Sequence, residues 1–190
     1  MRIVTLPETA VPGELKLQVA ELQDQAWPGP PAPSTEPVHD PALRPVSMLL
    51  LDGARVVAAL DLLSKRLEHA GRTYAACGLS AVVTDRVRRG RGYGRRLVAA
   101  ARAVIAESGA DLGLFTCDRV LQHFYEGAGW ERLPGAVLVG GTPRLPFPSD
   151  QEGFDKVAMA GFFTERARRH RADFPDSRIA LHPGEIDRLW

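Results

Sequence analysis

The chain has few cysteines and no long apolar run, which argues against a disulfide-rich, zinc-binding or membrane-spanning protein. Cys77 and Cys117 lack the paired spacing of a zinc site or a redox motif, so both are expected to be buried, reduced thiols. No apolar stretch reaches the roughly 18 residues that a membrane-spanning helix needs. The first residues do not read as a secretory signal. We therefore expect a cytoplasmic protein with no membrane partner and no metal.

An excess of charge of either sign is also missing. The 24 Lys and Arg residues are balanced by 23 Asp and Glu residues, which leaves a net charge of +1. Proteins that bind nucleic acids usually carry a large basic excess, so no nucleic-acid partner is expected. The hydrophobic fraction of 45% and the charged fraction of 25% are typical of folded globular proteins. Together with a length of 190 residues, these values predict a single domain spanning residues 1–190.

Prolines, by contrast, are concentrated in one segment. Seven of the 15 prolines lie between Trp27 and Pro45. Proline fixes its backbone φ angle and has no amide donor, so we expect a loop over residues 26–45. A loop of this length in a compact domain is often functional. Residues 161–190 are expected to form a C-terminal extension. It contains a basic segment, Thr164 to Asp173, which we expect to be a solvated face and not a contact with an anionic ligand or a second subunit.

Hydrophobic periodicity predicts an α+β fold. Two turn dipeptides, Asp52-Gly53 and Ala70-Gly71, separate apolar runs and indicate antiparallel hairpins. The predicted strands are Met1–Leu6, Val46–Leu51, Val56–Leu63, Leu62–His69, Arg72–Thr84, Leu112–Cys117, one beginning at Trp130, and Phe154–Ala160. The predicted helices are Gly13–Gln25, Tyr93–Glu107 and Val120–Ala128.

A basic, glycine-rich turn between a predicted strand and a predicted helix is the most informative segment. Glycines allow the backbone to approach an oxyanion closely, and the first amides of the helix point unpaired donors towards it. The helix dipole and neighbouring arginines, including Arg88, add positive charge. The pattern therefore favours a phosphate-binding site over a plain solvated turn. The turn consists of Arg89, Gly90, Arg91, Gly92, Tyr93, Gly94 and Arg95.

Two other phosphate-binding motifs fit this turn less well. A dinucleotide-binding turn requires a parallel βαβ unit, whereas the preceding strands form an antiparallel meander. A P-loop requires a Gly-Lys-Ser or Gly-Lys-Thr ending, which this turn lacks.

The turn resembles the acetyl-coenzyme A site of the GNAT superfamily. Arg89, Gly92 and Gly94 match the family pattern of Arg or Gln, two residues, Gly, one residue, and Gly or Ala. The segment His123 to Trp130 looks like the second family signature, an aromatic-Tyr pair before a Gly-aromatic turn. The resemblance implies a central mixed, mostly antiparallel sheet flanked by helices, with splayed middle strands. It also implies acetyl-coenzyme A as co-substrate, bound by the turn and by Val82, Val83 and Thr84.

A closer likeness is to the aminoglycoside 2′-N-acetyltransferases of that superfamily. The Cys77-Gly78 pair, Tyr125 and the C-terminal Trp190 have counterparts there, as does the acidic segment 150–153. Where that family has a glutamate before the coenzyme strand, this chain has Ser80 and Ala81, and its early acidic loop is replaced by the proline-rich segment. The residues that the likeness places at the amine acceptor are Ala81, Thr116, Asp150, Glu152 and Trp190.

Acetyl transfer to an amine needs a polarised thioester carbonyl, an acid for the departing thiolate and a deprotonated amine. The resemblance assigns the role of the acid to Tyr125; the alternative interpretation is that Tyr125 only packs in the core. The resemblance also places Ser80 at the catalytic centre. A backbone amide near Val82 would polarise the carbonyl. The base is left open among Asp150, Glu152, Asp118, Glu126 and His123.

The leading hypothesis is thus an acetyl-coenzyme A dependent N-acetyltransferase of a small-molecule amine, including an aminoglycoside-like one. Two alternatives remain: a non-catalytic acyl-coenzyme A binding module, and an acetyltransferase of peptides or protein N-termini. A homodimer is compatible with the sequence, which carries no interface signal.

Overall fold

The structure is a computed structural model that describes residues 1–29 and 38–190. Its helices and strands confirm the expected α+β class. The helices are α1 (Gly13–Ala26), α2 (Tyr93–Glu107), α3 (Gln122–Glu126) and α4 (Glu165–Arg169). The strands are β1 (Arg2–Pro7), β2 (Val46–Asp52), β3 (Arg55–His69), β4 (Arg72–Thr84), β5 (Leu112–Asp118), β6 (Glu131–Arg132), β7 (Val137–Gly141), β8 (Pro146–Pro148), β9 (Lys156–Phe162) and β10 (Arg178–Ala180).

The main sheet is mixed and mostly antiparallel, as expected. Within the described residues it has seven strands in the order β1-β2-β3-β4-β5-β9-β6. The β4-β5 pair is parallel, and the other neighbouring pairs are antiparallel. A second sheet of three strands has the order β10-β7-β8. It brings the C-terminal residues back to the body of the protein.

The middle strands of the main sheet splay apart. Strand β4 pairs with β5 at Ala76 with Leu112 and at Cys77 with Gly113, and beyond these residues the two strands diverge. The register of β3 against β4 also shifts between Ala59 and Asp61. Opposite this shift, Ala81 has a φ of 48°, a left-handed conformation that is uncommon for a residue with a side chain. The bulge bends β4 away from β5 and opens a cleft between them.

Helices cover both faces of the main sheet. The apolar stripe of α2, which includes Leu97, Val98 and Ile105, is buried against one face. Leu22 of α1 is buried with Leu49 and other residues of β2 and β3 on the opposite face. Burying each large aliphatic side chain contributes about 1.5–3 kcal/mol, so these two stripes fix the helices to the sheet. None of the helices in the described ranges is long and apolar enough to span a membrane.

Several element boundaries differ from those predicted. Strand β3 is one continuous strand of 15 residues rather than two, because β4 pairs with its polar end as well as with its apolar middle. Strands β7 and β10 were not predicted, since each is short and pairs with a segment distant in the chain. Of the loop predicted at residues 26–45, residues 30–37 lie outside the described residues. The described part begins with the last residue of α1 and includes a single 3-10 turn at Pro41–Leu43.

Candidate functional site

A groove of about 630 Å³ opens where β4 and β5 diverge. Its walls are the end of β4, the start of α2 and the segment around α3. Nine of the ten residues predicted to bind the coenzyme line it: Val82, Val83, Thr84, Arg89, Gly90, Gly92, Tyr93, Gly94 and Arg95. The tenth, Arg91, lies exposed in the same turn but is not part of the lining.

The glycines of the turn have distinct structural roles. Gly90 and Gly92 each have a φ of 79°, which a residue with a side chain rarely adopts. A Cβ atom on Gly94 would lie 2.6 Å from Thr84 Oγ1, so this glycine allows α2 to start directly against β4. The first bond of α2 joins Arg96 N to Gly92 O. The amides at the start of this helix therefore have no acceptor within the helix and point towards the groove end.

The arginines near the turn differ in their partners. Arg88 forms an ion pair with Asp52 at 2.7 Å and lies 3.6 Å from Asp85, so its charge is largely compensated. No carboxylate among residues 1–29 and 38–190 lies within 4.0 Å of Arg89, Arg91 or Arg95. Arg89 and Arg95 thus present uncompensated positive charge to the groove, which favours an anionic ligand.

Tyr125 lies at the other side of the groove from the turn. Its ring packs edge-on against Phe115 and Phe124, with centroids 5.0 and 4.9 Å away. Only 5% of the residue is exposed. Burial raises the pKa of its phenol, and the neighbouring Cys117 and Asp118 act in the same direction. The phenol therefore keeps its proton at neutral pH and is able to donate a hydrogen bond to an anion in the groove.

Ser80 and Trp190 lie on the opposite face of the sheet from α2. Ser80 pairs with Asp61 of β3, and Gly78, two residues earlier, shares its face of β4. The indole of Trp190 packs directly over Gly78, and its Nε1 donates a hydrogen bond of 2.9 Å to Leu114 O on β5. The C-terminal residue thus lies between β4 and β5 close to the point where they separate.

A buried cluster of charged side chains lies behind this region. His39 Nδ1 is 2.5 Å from Asp187 Oδ1, and His39 Nε2 is 3.2 Å from Asp61 Oδ2. Asp61 also accepts a hydrogen bond of 2.6 Å from Ser47 Oγ. Burial alone would lower the pKa of His39, but the hydrogen bonds and charges of Asp187 and Asp61 outweigh it and raise the pKa to about 10. His39 is therefore a charged imidazolium held between two carboxylates.

Other predicted acceptor residues lie elsewhere or are already engaged. Asp150 is exposed and paired with Arg178 at 2.7 Å, which lowers the pKa of the carboxyl. Glu152 is exposed in the following turn. Thr116 is half-buried on β5 and pairs with Ala158 of β9. Ala81 forms the bulge that bends β4.

The open candidates for the base are also engaged. Glu126 accepts hydrogen bonds from Gln122 and pairs with the exposed His123. Asp118 and His123 line the groove, and Asp118 pairs with Lys156 at 2.7 Å.

The basic C-terminal segment is not part of the groove. Arg166 contacts Asp111 at 3.1 Å, and Arg171 contacts Glu131 at 2.6 Å. With Arg102 and Arg168, Arg171 lines a separate polar cavity of about 340 Å³ beside β9.

Sequence reasoning missed two groups of residues near the site. Trp27, which directly follows α1 at the start of the predicted loop, lines the groove, although sequence reasoning assigned it no role there. The buried cluster was missed because His39 and Asp187 are far apart in the chain. One signal was available, since Asp61 is a lone carboxylate within the apolar run of β3.

Comparison with known proteins is consistent with this geometry. Residues 13–133 match the family model described as acetyltransferase (GNAT) domain. Comparison with curated protein sequences found no significant match.

Similar solved structures include Escherichia coli ElaA, with a TM-score of 0.61 and 15% identity over 84% of this chain and 97% of that one. An aminoglycoside 6′-N-acetyltransferase complexed with coenzyme A has a TM-score of 0.60 and 16% identity over 87% of this chain and 99% of that one. The aminoglycoside 6′-N-acetyltransferase of Enterococcus faecium has a TM-score of 0.59 and 18% identity over 87% and 99%. At these identities the likeness shows a shared fold.

Proposed function

The chain belongs to the GNAT acetyltransferase family, and on that premise we propose that it transfers an acetyl group from acetyl-coenzyme A to an amine of a small molecule. That it is an acyltransferase follows from the family, whereas the donor and the acceptor are our proposal. The proposal rests on one observation: in the groove, the end of β4, whose edge is not paired with β5, leads directly into the basic glycine-rich turn.

The residues of the groove fit the coenzyme. The free amides at the start of α2, with Arg89 and Arg95, would hold its linked phosphates. The splayed end of β4 offers backbone groups to a pantetheine arm at Val82 and Thr84, since β5 has moved away from that edge. When bound, acetyl-coenzyme A would supply an activated thioester.

Two hydrogen-bond donors of this chain, a backbone amide and a phenol, are suited to assist the acetyl transfer. A backbone amide near Val82 would donate to the thioester oxygen, where negative charge develops. Tyr125, kept protonated by burial, would donate a hydrogen bond to the departing thiolate and so act as its acid as negative charge develops on the sulfur. The positions where related enzymes carry a glutamate hold Ser80 and Ala81, so an ammonium acceptor would lose its proton to solvent or to a neighbouring group.

The acceptor is proposed to be cationic and to approach from the Ser80 face. Asp61, His39 and Asp187 together carry a net negative charge when His39 is protonated, and Asp61 is the direct strand partner of Ser80. Such a cluster lowers the free-energy cost of bringing an ammonium group nearby. An aminoglycoside-like polyamine is therefore the acceptor class that we propose.

Binding and transfer are tested in two steps. First, the melting temperature is measured with millimolar acetyl-coenzyme A and, as a control nucleotide, with NADH. We expect acetyl-coenzyme A to raise it by several degrees and NADH to leave it nearly unchanged, because a ligand that binds the native state stabilises it. No shift with acetyl-coenzyme A would count against the proposed function.

Second, release of the coenzyme thiol is followed with a panel of aminoglycosides, polyamines, aryl amines and short peptides. Thiol release with a small amine supports the proposal. Binding without transfer to any amine would favour the non-catalytic binding module, and transfer to peptides alone would favour a peptide acetyltransferase.

A further inference from the structure

The polar cavity of about 340 Å³ beside β9 lies away from the groove. In the part of the chain that the structure describes, the two linings have no residue in common. Strand β5 runs from one to the other: its first residue, Leu112, pairs with Phe162 in the cavity wall, and its last residue, Asp118, lines the groove. Strand residues rise about 3.3 Å each, so the two spaces are about 20 Å apart. The cavity is therefore not an extension of the groove.

The lining of this cavity carries an excess of positive charge. Arg102 of α2, Arg168 of α4 and Arg171 contribute three positive charges, against one negative charge from Glu131. Glu131 pairs with Arg171 at 2.6 Å. Within the described ranges, no carboxylate lies within 4.0 Å of Arg102 or Arg168, so their charges are not compensated. Such a concave basic surface favours an anion.

Arg102 also has a buried hydrogen-bond donor without an acceptor. Its Nε is buried and has no hydrogen-bond partner among the described residues. The guanidinium carbon lies 5.3 Å from the centre of the Phe163 ring, and a Cβ atom on Gly129 would lie 3.5 Å from Arg102 Nε. The guanidinium is thus held between a ring and a glycine, neither of which compensates its charge. An unpaired buried donor costs free energy, which the charge of a bound anion would offset.

We propose that this cavity binds a small anion that carries a phosphate group. Arginine suits phosphate because its planar guanidinium donates two parallel hydrogen bonds. A phosphate group has a charge of about −1.5 to −2 at neutral pH, which matches the basic lining better than one carboxylate does. The volume is at the lower end of the range of roughly 300–1,000 Å³ for small-molecule sites, so a short organic group would also fit. Arg168 and Arg171 then bind a ligand, although the sequence predicted a solvated face.

An NMR titration of the isotopically labelled protein with inorganic phosphate measures both the affinity and the place of binding. The amide signals of Gly129 and Gly161 report the cavity, and those of Gly92 and Gly94 report the groove. Potassium chloride at the same ionic strength is the control. We expect saturable shifts at the cavity glycines with phosphate and not with chloride. Shifts confined to the groove glycines, or equal shifts with both salts, would overturn the proposal.

Glycerol 3-phosphate and glycerol distinguish the sources of the phosphate group. Tighter binding of glycerol 3-phosphate than of inorganic phosphate identifies a phosphate ester as the ligand, and equal or weaker binding identifies the free ion. Both results support a phosphate site. If glycerol bound as tightly as glycerol 3-phosphate, the cavity would not recognise phosphate and the proposal would be wrong.

Arg102→Gln and Arg168→Gln each remove one uncompensated charge from the cavity. Each should weaken phosphate binding at least about tenfold, because a hydrogen bond between charged groups is lost. Arg168 is exposed, so its variant tests the site even if Arg102→Gln does not fold.

Arg169→Gln is the matched control. Arg169 is adjacent to Arg168 in α4, but it pairs with Glu165 and does not line the cavity. This variant loses the same charge and should keep the phosphate affinity to within about twofold, since solvent screens an exposed charge. Unchanged affinity in Arg168→Gln, or an equal loss in Arg169→Gln, would refute the site. Neither result bears on the proposed acetyl transfer, which depends on the groove.

Discussion

Tyr125 is almost completely buried, yet it lies in the wall of the groove. Its ring packs against Phe115 and Phe124 and would still do so as phenylalanine. We therefore predict that Tyr125→Phe lowers kcat by about 100-fold, the range of a lost general acid, with the Kd for acetyl-coenzyme A unchanged. Thiol release gives kcat, and calorimetry gives Kd.

Tyr74→Phe is the matched control for that substitution. Tyr74 is fully buried at the far end of β4, and its hydroxyl has no hydrogen-bond partner among the described residues. Removing this hydroxyl should leave kcat unchanged and should not lower stability, because an unpaired buried polar group is itself unfavourable. If both variants kept full turnover, Tyr125 would have no role as an acid.

At the scale of elements, the contact between the start of α2 and the end of β4 shapes the groove. Gly94→Ala would place a methyl 2.6 Å from Thr84 Oγ1 and 3.3 Å from the Phe124 ring. The start of the helix would have to move away from the strand, which misaligns its free amides. We predict that affinity for acetyl-coenzyme A falls at least about tenfold, a loss of about 1.4 kcal/mol, while the far-ultraviolet circular dichroism is retained.

Gly13→Ala is the control for a glycine-to-alanine change at a helix start. Gly13 is the first residue of α1, and a Cβ atom there would meet no atom within 4 Å. Alanine favours helix more than glycine does, so this variant should be as stable as the unmodified protein or slightly more so, with the same affinity for the coenzyme. Equal losses of affinity in both variants would contradict the role given to Gly94.

Local patterns predicted the elements that build the groove, and failed where pairing is distant. The turn around Gly92 and the stripe of α2 depend on neighbours in sequence, so residue order revealed both. Strands β7 and β10 pair with each other across a long connection, and three or five residues alone carry too little periodicity to predict them. The same reason hid the position of Trp190, since nothing local to this residue indicates that its indole donates a hydrogen bond to Leu114 O.

At the scale of the whole molecule, one buried cluster joins three distant parts of the chain. His39 follows the undescribed segment, Asp61 lies in the middle of β3, and Asp187 lies near the C-terminus. Burying three charged groups costs free energy, which close pairing offsets. The cluster is therefore better explained by the geometry that it imposes than by stability alone: it fixes the tail that carries Trp190 across the sheet.

The same cluster should make stability depend on pH in a defined direction. The pKa of His39 is about 10 in the folded protein against an ordinary value of 6.5, so the folded state holds the proton more tightly. Its contribution is complete below about pH 6.5 and is lost as the pH rises towards 10. We predict that His39→Gln lowers the free energy of unfolding by about 3 kcal/mol near pH 6, as expected for a broken buried ion pair, and by progressively less at pH 8 and 9.5.

Urea unfolding of the unmodified protein and of His39→Gln at pH 6, 8 and 9.5 measures the difference in their free energies of unfolding. His170→Gln is the control, because the partly exposed His170 lies 3.8 Å from Asp173 and its loss should change stability little at any of these pH values. A loss for His39→Gln that stayed constant or grew with pH would mean that His39 is neutral between the two carboxylates. In that case hydrogen bonding alone, without a charge on the imidazole, would connect the tail to β3.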